Sequence, residues 1–89
     1  MNYAQIVELL WEIASEMALR GPGWAQQSSV LREAAARIPH SADPRVEQLI
    51  LTCWHDLFRA GRLSWGLNLD NPDAPFFHVP LHDPLRDGA

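Results

Sequence analysis

The sequence contains no lysine, one cysteine and one tyrosine. A lone cysteine cannot form an internal disulfide, so the chain folds without that staple. Neither a CxxC nor an HExxH pattern is present, which removes the common zinc signatures. No apolar run approaches the roughly 18 residues that a membrane span needs. The opening Met1-Asn2-Tyr3-Ala4 meets an acidic residue at Glu8, unlike a secretory signal. The missing lysine reads as the base composition of a GC-rich genome, not as chemistry. Seven arginines therefore carry all the fixed positive charge, against eleven carboxylates, for a formal net charge of −4. An acidic domain is poorly suited to non-specific nucleic-acid binding or to an anionic membrane, although a local basic strip is compatible with it.

What is present is a chain of 89 residues, 47% hydrophobic and 20% charged. That is the composition of a folded domain, not of a disordered one. The length allows one core, which buries roughly 60–65% of the extended chain's surface. We expect a soluble, cytoplasmic domain over 1–82 and a polar tail over 83–89.

Apolar periodicity predicts three helices. The first spans about 3–19, with Asn2 as N-cap and Gln5 three residues on in a variant capping box. Ile6, Leu9, Leu10, Ile13 and Met17 form one stripe, and Val7, Trp11, Ala14 and Ala18 widen it. Gln5, Glu8, Glu12 and Glu16 line the back. Gly21-Pro22-Gly23 ends the helix, and Trp24–Gln27 reads as a linker. Ser28 or Ser29 caps the second helix, whose inner face is Val30, Leu31, Ala34, Ala35 and Ile38. Asp43 and Pro44 start the third, about 44–60. Its buried stripe is Val46, Leu49, Ile50, Cys53 and Leu57, widened by Leu51, Trp54 and Phe58. Its wet face is Arg45, Gln48, Thr52, His55, Asp56 and Arg59. Gly61 closes it at C′.

After Gly61 the period becomes two. Leu63, Trp65, Leu67 and Leu69 alternate with polar or small residues, Asp70–Pro75 is dense in turn formers, and Phe76–Val79 returns as a strand. The expectation is an α+β fold, three helices followed by a C-terminal β-hairpin whose loop has about six residues.

That order resembles the winged helix-turn-helix. Leu57-Phe58-Arg59-Ala60-Gly61-Arg62-Leu63 looks like the join between third helix and wing. Gly66–Val79 resembles the wing of small bacterial winged-helix domains, some of them from defence or mobile-element systems. The resemblance covers about residues 3–81. Gly21–Gln27, where such domains carry a short strand, shows only a weak candidate for one. The family implies either protein contact or DNA binding.

Two sets of site residues follow. For protein contact or self-association, Trp11 and Trp24 are the candidates, since indole is enriched in binding hot spots. Trp54 and Trp65 instead fit a packed core, which a few large rings fill quickly. For DNA, the resemblance puts the third helix in the major groove, with Gln48 and Thr52 reading bases and Arg45 and Arg59 contacting guanine or phosphate. Arg32 and Arg37 would hold the backbone, with Arg62 at the wing root. Asp70 and Asp73 at the wing tip oppose phosphate contact. His78 and His82 lie on extended chain, where four-residue spacing does not converge on a metal. Cys53 reads as a core residue, and nothing resembles a phosphate loop. The sequence therefore predicts a non-catalytic module without cofactor, metal or small-molecule ligand. Its leading role is protein contact as an adaptor within a bacterial or phage-derived system. The second role is that of a DNA-binding regulator.

Overall fold

A computed structural model describes residues 1–80. The expected boundary at 82, the tail 83–89 and His82 lie outside the described residues. Three helices and the three strands of an antiparallel sheet make up the described chain, in the order α1 (Tyr3–Arg20), β1 (Trp24–Gln26), α2 (Gln27–Arg37), α3 (Pro44–Arg59), β2 (Ser64–Trp65) and β3 (Phe76–His78). None of the helices is long and apolar enough to cross a membrane.

The helix ends follow their local chemistry. Asn2 accepts from the Gln5 backbone N–H while the Gln5 side chain accepts from Asn2 N–H, a complete capping box. Asp43 accepts from Arg45 N–H, and Pro44 occupies the first turn of α3, where no intrahelical donor is required. At the other end of α3, Gly61 has φ +77. Arg62 N–H donates to Leu57 C=O and Gly61 N–H to Phe58 C=O, each at 3.0 Å, so the last carbonyls are satisfied by a Schellman turn.

Three expectations are corrected here. Trp24–Gln26 is a strand, not a linker: it pairs with β3 in the register Trp24↔His78, Ala25↔Phe77 and Gln26↔Phe76. The sheet order is therefore β1-β3-β2, with β3 in the middle. Neither Ser28 nor Ser29 caps α2, which begins at Gln27 with no side-chain cap. The strand runs straight into the helix, and Gln27 N–H donates to Pro75 C=O at 2.9 Å instead. The period-two run breaks early. Only Ser64–Trp65 pairs with β3, and Leu69 is 97% exposed. Gly66 turns the chain, with φ +101, and a Cβ there would sit 2.6 Å from the Pro72 carbonyl oxygen.

The core lies between α1, its two helical neighbours and one face of the sheet. Ile6, Leu10, Ile13, Ala14 and Ala18 of α1 meet Val30 and Ala34 of α2, Ile50, Cys53, Trp54 and Leu57 of α3, and Leu63 and Phe77 beyond them. Leu9, Leu49, Trp65 and Val79 pack on this cluster half-buried. Trp54 is fully enclosed. Its ring meets Phe58, Trp65 and Phe77 edge-on, and its indole N–H donates to the Gln27 side chain at 2.9 Å. Leu51 and Ala35, expected on inner faces, are exposed. They border a groove between α2 and α3.

Candidate functional site

The outer face of α3 carries the residues expected to read DNA. Arg45, Gln48, Thr52 and Arg59 are all exposed there. Most of their polar groups are already engaged. The Thr52 hydroxyl donates to Gln48 C=O at 2.9 Å, back onto its own helix. Arg59 pairs with Asp56 at 2.9 Å, and Arg45 lies 3.4 Å from the capping Asp43. On α2, Arg37 pairs with Glu33 at 2.7 Å, while Arg32 has no ion pair among the described residues. Arg62 departs from the strip: it reaches α1, donates to Glu8 at 2.8 Å and lies 4.5 Å from the centroid of the Trp11 ring. The expected five-arginine strip is thus divided between two helix faces and interleaved with carboxylates.

Asp56 is the most connected of those carboxylates. The Tyr3 hydroxyl donates to it at 2.6 Å, tying the start of α1 to the end of α3. That bond, reinforced by Arg59, holds the Asp56 carboxyl below the usual carboxylate range. The same bond, with burial and the Asp56 charge adding to it, pushes the Tyr3 phenol up. The Arg62 bond likewise holds the Glu8 carboxyl down.

Trp11 and Trp24, the candidates for protein contact, are both half-buried. The Arg62 guanidinium lies over the Trp11 ring, a cation–π contact. Trp24 meets Phe76 edge-on at 5.4 Å across the β1–β3 ladder. Each ring therefore has an internal partner, and the two lie on different elements.

The hairpin loop between β2 and β3 offers a different surface. Gly66 N–H donates to Phe76 C=O at 2.7 Å and Leu67 N–H to Asn71 C=O at 2.9 Å. The Asn68 side chain accepts from Asn71 N–H at 2.8 Å. His78 Nδ1 donates to Gly66 C=O at 2.7 Å, since a carbonyl can only accept. These bonds fix the loop around an open hollow of about 360 Å³, walled by Trp65, Leu67, Leu69, Pro72 and His78. Pro72 also borders a recess of about 230 Å³ lined by Asp70 and Asp73. Neither aspartate has an ion pair among the described residues. Between Arg62 and residue 80 the chain has no arginine or lysine. Sequence reasoning found the two aspartates but missed the hollow, because it placed Leu67 and Leu69 in a continuous strand.

Cys53 is buried, and burial pushes its thiol pKa up, which suits packing and not nucleophilic attack. Its Sγ faces the Tyr3 carbonyl at 3.8 Å. No group of three metal-ligating side chains converges among the described residues. Set against family models, curated proteins and solved structures, the chain has no match in any of the three.

Proposed function

We infer that this chain is a non-catalytic winged-helix module that binds another protein, with the β2–β3 hairpin as its wing. The order helix, strand, helix, helix, strand, strand supports the winged-helix part of the reading, as does pairing of the first strand with the last. The observation that carries the protein-binding part is the wing's chemistry. A wing that follows a DNA backbone presents cations, because affinity for duplex comes largely from neutralised phosphates. This wing presents Leu69, Asp70 and Asp73, all exposed, and no cation at all. Docked on DNA it would set two carboxylates against phosphate.

A second reading, a regulator that reads DNA with α3, rests on Gln48 and Arg45, both exposed on the outer face of that helix. Titration with a randomised duplex pool at ~0.1 M salt separates the two. The interaction-module reading expects dissociation constants in or above the non-specific range of about 10⁻⁴–10⁻⁶ M. Arg45→Ala and Arg59→Ala should then change retention little. Sub-micromolar binding to one defined duplex, lost in Arg45→Ala, would overturn it in favour of DNA.

A further inference from the structure

The geometry points to the wing as a docking site for a short cationic, apolar peptide segment of a partner protein: one branched aliphatic side chain enters the hollow walled by Trp65, Leu67 and Pro72, and an adjacent arginine or lysine reaches Asp70 and Asp73. The inference rests on the interaction-module reading and specifies the partner's chemistry. Three features on the wing carry it. The hollow is apolar on most sides and held open by backbone bonds, so an incoming side chain gains buried area without first ordering the loop. Pro72 walls both the hollow and the acidic recess, so the two subsites adjoin. Both aspartates are exposed, and neither has an ion pair among the described residues.

The same charges argue against the other occupants. A second copy meeting this wing symmetrically would bring Asp70 and Asp73 against themselves. A duplex is repelled for the reason already given.

The test uses the full chain, labelled with nitrogen-15, and three capped six-residue peptides: alternating leucine and arginine, leucine and serine, and leucine and glutamate. Amide and indole shifts locate binding. The leucine–arginine peptide should give saturable shifts centred on Trp65, Leu67 and His78. The leucine–serine peptide should bind roughly threefold or more weakly, and the leucine–glutamate peptide more weakly still. Asp70→Asn with Asp73→Asn should abolish the difference between the first two peptides. Leu69→Ser should weaken both, and each variant should keep the parent's dispersed spectrum, because the replaced side chains are exposed. Shifts centred on Glu12 and Glu16 of α1 would mean that the peptide merely follows negative charge, and would overturn the inference. So would equal affinity for the arginine and serine peptides, or no saturable shift at millimolar peptide. A defined duplex that shifts α3 in the same experiment would defeat the interaction-module reading itself. Without that duplex response, a silent wing defeats only the choice of partner.

Discussion

Gly66 sets the geometry of the whole loop. Its φ of +101 lies where only glycine is comfortable, and Pro72 stands against the face where a side chain would project. Replacement by alanine combines backbone strain with a clash against a carbonyl that is itself part of the loop. We expect Gly66→Ala to cost about 1–3 kcal/mol in denaturant unfolding and to shift the resonances of Leu67 and Pro72. A loss below about 0.5 kcal/mol would mean that the loop relaxes freely and that the hollow is not a fixed shape. The positive φ at Gly61 has open space around it and concerns only the helix end, so the two glycines do different work. Sequence reasoning identified Gly61, which follows a strong helical period. It passed over Gly66, which sits inside an alternation that it interrupts.

At the scale of elements, the ends of α1 and α3 were legible because their caps act within a few residues. β1 was not. Trp24-Ala25-Gln26 is too short to show a period, and its ladder partners lie near residue 77. Leu51 was misplaced for a related reason: the apolar pattern of α3 alone gives it an inward setting, but in the fold it is exposed at the rim of a groove beside Leu31 and Ala35. The candidate site divides the same way. The exposed α3 face follows from helical spacing, whereas the hollow requires the turn at Gly66.

The Tyr3–Asp56 bond is a tie between two helices that no local pattern announces, and it predicts a pH dependence. A carboxyl whose folded pKa is lowered contributes stability that is full above its unfolded value of about 4. That contribution is lost as pH falls through the folded value. The phenol works in the opposite sense. Its folded pKa is raised, so its contribution is full below about 10 and is lost as pH rises beyond that. Tyr3→Phe should therefore flatten the pH profile of unfolding on both shoulders. In a carbon-13 titration it should also move the Asp56 carboxyl up towards its ordinary range, with Arg59 retaining part of the depression. An unchanged Asp56 titration would show that the bond does not form in solution.

For the molecule as a whole, Trp54 joins the layers. Its ring touches Phe58 of its own helix, Trp65 of β2 and Phe77 of β3, and its N–H is bonded to Gln27 at the start of α2. Truncation would open a cavity shared by all of them. Trp54→Ala should cost about 3–5 kcal/mol, a large part of the roughly 5–15 kcal/mol expected for a small domain. Calorimetry should find the variant largely unfolded or melting far below the parent. A variant that melts within a few degrees of the parent would place the centre of the core elsewhere. Trp54→Phe keeps most of the packing but leaves the Gln27 amide without its donor, so it should fall between the two.

The sheet order β1-β3-β2 also has a consequence for synthesis. The middle strand is the last of the three to be made, since Phe76–His78 follows both of its neighbours in the chain. While the ribosome is still adding residues, β1 and β2 have no partner for their open backbone edges, and Trp54 lacks the buried phenyl ring that covers one side of it. The helices must wait as an incomplete bundle, with apolar surface facing outwards, until the final strand slides between the two edges and closes them together. For this chain the vulnerable interval lies between the synthesis of β2 and that of β3, and a product truncated just before Phe76 would carry two unsatisfied strand edges in place of one sheet.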